Sequence, residues 1–280
     1  MIQYNEVKIS RILNPTSIDL GEYVINPYKG CEFSCLYCYV RSNRVTSREA
    51  RPWGSYVDIR INAPQQLEQE IALRKPKCVL LGSTTDCFQP IEAKYGLTRK
   101  LLEILNKHNI FYSILTRSPI ITEYVPLLNK GFCKGIYFTV NNMTRELKAV
   151  LEPKSPSYEA RFKVINQLLE NGIPVTPYFS PVLPWISDTG VAFGLALKAK
   201  SIEFEGLNFN LANIGDVMQA IRSVYPQFKS NFERMQKDKV FYESVWESVR
   251  KEIVDGAIKA KKSYNVYIHR FGDYFKNTYK

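Results

Sequence analysis

The chain has 280 residues, 45% hydrophobic and 23% charged, which excludes a mainly disordered chain and leaves enough length to bury a core without disulfide staples. The formal net charge is +11, which fits a polyanionic partner such as nucleic acid and equally fits a lysine-rich surface that keeps the protein in solution. No apolar run approaches the ~20 residues that span a bilayer. The start, Met1-Ile2-Gln3-Tyr4-Asn5-Glu6, lacks the basic-then-apolar pattern of a secretory leader, so a reducing cytoplasmic setting without membrane association is expected.

In chain order, a first short strand is expected over Tyr23–Asn26 and a β-rich edge or extra strand over Val57–Ile61. Pro64 suits the first turn of a helix running to about Leu73. Cys78–Leu81 is a short apolar run ended by Gly82, the pattern of a buried strand. Thr98–His108 reads as a helix with Leu101, Leu102 and Leu105 on one face, Ile110–Leu115 as a strand, and Glu123–Asn129 as a helix stopped by Gly131. Ile136–Val140 is a strand; Ser157 then caps a helix over Tyr158–Glu170 that ends at Asn171-Gly172. Pro174–Phe179 (strand), Gly190–Lys200 (helix), Leu207–Asn210 (strand) and Asp216–Val224 (helix) continue the alternation. Strands separated by single helices imply parallel βαβ units. About six fit before residue 225, fewer than the eight of a full barrel, so the expected fold is α/β, a partial (β/α)6 TIM-type barrel over 1–225.

Residues 226–280 read as a C-terminal helical extension packed on the barrel. Val240, Phe241, Val245, Val249, Ile253 and Ala257 recur at helical spacing, and Lys259, Lys261 and Lys262 suit the negative end of that helix's dipole. The tail interleaves Tyr264, Tyr267 and Tyr274 with Arg270, Lys276 and Lys280, a pattern that serves nucleic-acid stacking or, preferentially here, packing on the barrel. No flexible linker separates the two parts.

The chemistry concentrates in Cys31-Glu32-Phe33-Ser34-Cys35-Leu36-Tyr37-Cys38. The other cysteines, Cys78, Cys87 and Cys133, are scattered, and His108 and His269 are isolated. In a reducing compartment such spacing reads as a metal or cluster site before a disulfide. A structural zinc site wants four ligands, and no fourth lies nearby. Thiolates also hold iron–sulfur clusters, normally through four cysteines; a loop supplying three leaves one iron open to an outside ligand.

The C-x3-C-x2-C spacing, with Tyr37 before the third cysteine, resembles the radical S-adenosylmethionine (SAM) superfamily. Asn26-Pro27-Tyr28-Lys29-Gly30 before it, Tyr37-Cys38-Tyr39, Thr85-Asp86-Cys87-Phe88-Gln89-Pro90-Ile91-Glu92, Leu97-Thr98-Arg99, Thr116-Arg117-Ser118, Glu152-Pro153 with Arg161, and Pro181-Val182-Leu183-Pro184 resemble its spore photoproduct lyase-like family, over roughly Tyr23 to Asp188.

The resemblance implies a partial barrel and a 4Fe–4S cluster on Cys31, Cys35 and Cys38. It implies that SAM on the fourth iron is cleaved to a 5′-deoxyadenosyl radical that abstracts hydrogen from substrate, with electrons from a flavodoxin- or ferredoxin-type donor. It places Tyr37 against adenine and Ser83, Thr84 and Thr85 near the SAM amino group. Arg117 or Arg161 pairs the carboxylate, Asn141 or Asn142 reaches the ribose, and Val182 with Leu183 lines the adenine pocket.

Each position also has a plainer reading: a core tyrosine, a helix-surface arginine paired with Glu159 or Glu170, turn asparagines, core apolars. Tyr39, Asp86 and Cys87 are the candidate catalytic residues. Asp86 sits at the barrel mouth, where it would orient Tyr28 or a cation, and Glu92 reads as a loop carboxylate. One departure matters: Ser83 falls where the family's namesake lyase carries its hydrogen-donating cysteine, and a serine O–H bond is too strong for that role.

The leading functional expectation is therefore a radical SAM enzyme acting in DNA or RNA repair or modification. The alternatives are a radical SAM enzyme acting on a polypeptide or small metabolite, and a non-catalytic zinc- and nucleic-acid-binding protein.

Overall fold

A computed structural model describes residues 1–43, 49–195 and 198–272. The strands and helices are, in order, β1 (Gln3–Val7), β2 (Asn14–Pro15), β3 (Tyr23–Ile25), β4 (Tyr28–Lys29), β5 (Tyr56–Arg60), α1 (Ala63–Arg74), β6 (Cys78–Leu81), α2 (Glu92–Tyr95), α3 (Leu97–Lys107), β7 (Phe111–Thr116) and α4 (Val125–Leu128). They continue as β8 (Cys133–Val140), α5 (Arg145–Leu151), α6 (Tyr158–Glu170), β9 (Val175–Val182), α7 (Thr189–Leu195), β10 (Ser201–Gly206), α8 (Ile214–Val224), α9 (Lys229–Lys237), α10 (Lys239–Ala260) and β11 (Ser263–Tyr267). Parallel strands alternate with helices, as expected of an α/β partial barrel. Among the described residues no helix is long and apolar enough to cross a membrane.

The chain divides into two units. The first comprises Met1–Phe33, Arg51–Thr139 and Ser155–Thr176; the second comprises Ser34–Ala50, Val140–Lys154 and Pro177–Lys280. In the first unit β3, β6, β7 and β8 pair in parallel in that order, and β2 lies antiparallel on the β3 edge. A separate small sheet sets β5 parallel to β1 and antiparallel to β4. Leu101, Leu102 and Leu105, the stripe expected from sequence, are buried on α3 together with Leu97 and Thr98. Ser157 Oγ accepts from Ala160 N at 3.2 Å and caps α6. Two glycines shape the loops that matter. Gly82 ends β6 at φ +88°, and a Cβ there would lie 2.5 Å from Leu115 O; Gly30 leads into the cysteines at φ +91°, and a Cβ there would lie 2.3 Å from Tyr56 O.

In the second unit β9, β10 and β11 pair in parallel. Phe204 of β10 packs on Phe179 of β9 and Phe193 of α7, with ring centroids 5.6 and 5.3 Å apart. Asp238 Oδ1 accepts from Phe241 N at 3.0 Å and caps α10, which buries Tyr242, Val245, Trp246, Ile253 and Ala257.

Several expectations shift. The strand expected at Leu207–Asn210 is instead β10, Ser201–Gly206; Glu203 and Glu205 disguise it, because one face carries Ile202 and Phe204 while the other is polar. The helix expected over Glu123–Asn129 is a 3-10 turn over Pro119–Tyr124 followed by the single-turn α4, since Pro119 and Pro126 fix separate turns. The helix expected to Lys200 is described only to Leu195, and residues 196–197 lie outside the described residues. Val240, placed on the buried face, is 77% exposed at the start of α10. The extension is helical through Ala260, then adds β11 to the sheet. Tyr274, Lys276 and Lys280 lie outside the described residues. The segments β1, β2, β4, β11, α2, α5 and α9 have no counterpart among the expected elements; α2 and α5 are too short for a clear period.

Candidate functional site

The boundary between the units falls inside the cysteine loop, between Phe33 and Ser34. Cys31 belongs to the first unit and is buried. The peptide groups on both sides of it are held by the segment after β6. Thr85 Oγ1 donates to Gly30 O at 2.6 Å, and Gln89 Nε2 donates to Thr85 Oγ1 at 2.9 Å and, more weakly, to Gly30 O at 3.5 Å. On the other side, Glu32 N donates to Gln89 Oε1 at 2.8 Å. The Glu32 carboxylate in turn accepts from Ile91 N at 2.6 Å and from Tyr4 OH at 2.9 Å. Burial, then the neighbouring Glu32, pushes the Tyr4 phenol up to about 12.

Glu92 is not a loop carboxylate. It is 1% exposed and accepts from Tyr28 OH, from Tyr124 OH at 2.6 Å, and from the backbone N–H groups of Thr98 at 3.0 Å and Arg99 at 3.2 Å. Burial, then the adjacent carboxylate, holds the Tyr28 and Tyr124 phenols far above their ordinary value. Asp86, expected to orient Tyr28 or a cation, does not bond Tyr28 and instead accepts from the backbone of Arg117. Its oxygens accept from Phe88 N (2.9 Å), Thr116 Oγ1 (2.8 Å) and Arg117 N (2.9 Å), tying the ends of β6 and β7 together. Burial raises its pKa, with those hydrogen bonds acting in the opposite direction.

Asn26 holds the turn after Gly82. Its side chain donates to Ser83 Oγ at 3.4 Å and accepts from Thr84 N at 3.0 Å. Cys87 is fully buried, and burial, followed by the charges of Asp86 and Glu92, pushes its thiol well above the ordinary range. Arg161 is fully buried rather than on a helix surface; Nε donates to Pro156 O at 3.2 Å and the guanidinium lies 4.9 Å from the Tyr158 ring centre. Arg117 is half-buried at the end of β7.

The second unit holds Cys35, which is buried, and Cys38, which is half-buried. Cys38 N donates to Cys35 O at 3.3 Å, and a 3-10 turn over Tyr39–Ser42 follows. Leu36 is bracketed too: its N donates to Leu151 O at 2.9 Å and its O accepts from Asn213 Nδ2 at 2.7 Å. Tyr37 OH donates to Glu152, which is fully buried. Tyr39 is exposed. Asn141 Nδ2 donates to Pro181 O at 2.7 Å, joining the ends of β8 and β9, and Asn142 Nδ2 donates to Asp188 O at 2.6 Å. Val182 and Leu183 are buried.

In the sequence Gln89 stands out only as a member of the Thr85–Glu92 motif, and neither Glu32 nor Tyr4 is marked as a site residue. Glu32's position between two candidate ligands was a usable signal. Nothing local marks Tyr4.

The donor set fits an iron–sulfur cluster. Cys31, Cys35 and Cys38 are on one loop and outside any disulfide. A cluster takes each such thiolate on a different iron.

Residues 25–191 match the family model of the Radical SAM superfamily. An uncharacterized protein of Methanocaldococcus jannaschii is 30% identical over 259 residues, covering 92% of this chain and 96% of its own. Among solved structures, a spore photoproduct lyase mutant superposes with a TM-score of 0.68 at 16% identity, covering 95% of this chain and 82% of that one. Another mutant of that lyase, with bound AdoMet and dinucleoside spore photoproduct, gives 0.65 at 15% identity over 93% and 80%. At such identity the likeness carries the fold, a partial TIM barrel.

Proposed function

From the premise that the chain belongs to the Radical SAM superfamily, we propose that Cys31, Cys35 and Cys38 hold a 4Fe–4S cluster and that this radical SAM enzyme abstracts hydrogen from a nucleic-acid substrate. The superfamily implies both the cluster and SAM. When bound and reduced by a flavodoxin- or ferredoxin-type donor, the cluster supplies the one electron that splits the SAM sulfonium to a 5′-deoxyadenosyl radical.

The observation that carries the reading is the incomplete thiol set on a loop whose backbone is fixed on both sides of Cys31. The chain's own groups then have definite tasks. Tyr37, anchored through its hydroxyl to Glu152, offers a fixed ring face for adenine. Ser83 and Thr84 offer acceptors to the SAM ammonium. Arg117, half-buried, is the better partner for its carboxylate than the fully buried Arg161. Asn141 and Asn142 already brace neighbouring loops, so their part is to hold the strand ends, while Val182 and Leu183 supply apolar surface. Tyr39, exposed beside Cys38, is a candidate for substrate contact.

The net charge of +11 supports a polyanionic substrate, and the structural neighbour carries a dinucleoside lesion. The lyase reaction itself is not part of the proposal: Ser83 stands at the hydrogen-donor position and the Cys87 thiol is sealed from solvent.

Anaerobically reconstituted protein given dithionite and SAM is expected to release 5′-deoxyadenosine, and Cys31→Ala, Cys35→Ala and Cys38→Ala to release none. Wild-type protein loaded with cluster yet yielding none sinks the reading. For the substrate class, oligonucleotide affinity should fall steeply between about 50 and about 200 mM salt; no binding at the lower salt redirects the search to polypeptides and small metabolites.

A further inference from the structure

We propose that Gln89 is the positioning residue of the first cluster ligand, acting with Thr85 and Glu32, and that the Thr85–Glu92 segment clamps the cysteine loop. The inference rests on the reading that Cys31 ligates the cluster.

A primary amide carries a donor and an acceptor on one rigid plane. Gln89 directs its acceptor to the N–H of the residue after Cys31 and its donor to the Thr85 hydroxyl, which itself donates to the carbonyl of the residue before Cys31. One fully buried side chain therefore brackets Cys31 on both sides. Two further restraints close the arrangement. Position 30 admits only glycine, because a Cβ there would lie 2.3 Å from Tyr56 O. Glu32 is tied on the far side by Ile91 N and Tyr4 OH.

The peptide planes at each end of a residue fix the direction of its Cα–Cβ bond. Fixing both thus fixes the cone in which the Cys31 sulfur moves. The Thr85 hydroxyl has its proton on Gly30 O and one lone pair engaged by Gln89. Outer partners of this kind typically alter metal affinity by about 10- to 100-fold when removed.

The test uses the full chain, reconstituted anaerobically without SAM. Gln89→Leu removes both ends of the amide, and Gln89→Glu removes only the donor. Iron release to a chelator and the EPR spectrum of the reduced cluster are compared with wild type and with Thr98→Val, which loses a buried hydrogen bond to Cys87 O and none to the Gly30–Glu32 backbone. Gln89→Leu is expected to release iron about tenfold faster or more with a changed EPR spectrum, Gln89→Glu to fall between, and Thr98→Val to match wild type even where its thermal stability is lower. Should Gln89→Leu not fold, Gln89→Glu and Glu32→Gln carry the same comparison.

Wild-type release and EPR in the folded Gln89 variants, with Cys31→Ala devoid of cluster, overturn the positioning role alone. A Cys31→Ala protein that still loads a normal cluster overturns the ligand reading and this inference together.

Discussion

Three carboxylates of the first unit, Glu92, Asp86 and Glu32, and two of the second, Glu203 and Glu205, are held by different means. In the first, Glu92 collects the backbone N–H groups of Thr98 and Arg99 in the first turn of α3, and Asp86 and Glu32 collect those of Phe88, Arg117 and Ile91 from loops. In the second, Glu205 accepts from Ser180 Oγ at 2.7 Å and lies 3.2 Å from His269 Nε2, while Glu203 accepts from Asn265 Nδ2 at 3.0 Å. A backbone donor has no rotamer to lose and cannot turn away. Carboxylates held that way shape the chain around them, whereas those held by side chains lock neighbouring strands to one another. The first unit therefore builds a rigid frame around the Gly30–Glu32 backbone, and the second builds a polar sheet face.

The largest break in that comparison is Glu92→Ala. Two phenols and two backbone N–H groups lose their acceptor in a fully buried place, and unsatisfied buried groups cost about 1–3 kcal/mol each, with partial relaxation expected. Chemical unfolding should show a loss of roughly 3–5 kcal/mol. A loss below about 1 kcal/mol would remove the staple role.

Tyr37→Phe should have an intermediate effect, near 1–2 kcal/mol, because it deletes one donor to the buried Glu152. It should leave cluster loading intact, since the ring remains. Lost iron binding would mean that the hydroxyl does more than anchor the ring.

The smallest effect is one of sign. Asp86 has a raised pKa in the folded protein, chiefly from burial. The folded state then holds a proton that the unfolded state gives up, so stability is lost as pH rises from the ordinary value of 3.8 toward the folded one. For Glu205, burial alone would raise the pKa, but hydrogen bonds from His269, Ser180 and Tyr178 outweigh it and the net shift is downward. Its contribution is present above the ordinary value of 4.5 and is lost as pH falls through the folded one. Unfolding free energies across acid pH should therefore change slope in opposite directions in Asp86→Asn and Glu205→Gln. Slopes that move the same way would contradict the contrast.

Much of the fold was legible from patterning. The leucines of α3, Ser157 ahead of α6 and the apolar run of β6 announce themselves within a few residues. The misses have local causes as well. β10 hid behind two glutamates because one of its faces is polar, and α5 is only two turns long. In the site, the three cysteines could be read directly, since their chemistry lies in residue type and spacing. Sequence offers Tyr28 to Asp86, whereas Glu92 is the acid that meets it, because both are acids near one strand end and nothing in one dimension says which of them does.

Residue type and short spacing were enough for the α/β alternation, the thiol set and its missing fourth member, since each depends on neighbours within a turn or two. The clamp on Cys31 needed the folded chain. Gln89 reaches Glu32 across 57 positions and Tyr4 reaches it across 28, and such pairings exist only once β6 has brought the Thr85–Glu92 segment against the loop. A hydrogen bond is decided by distance and direction in space, and a sequence fixes those only for residues already close along the chain.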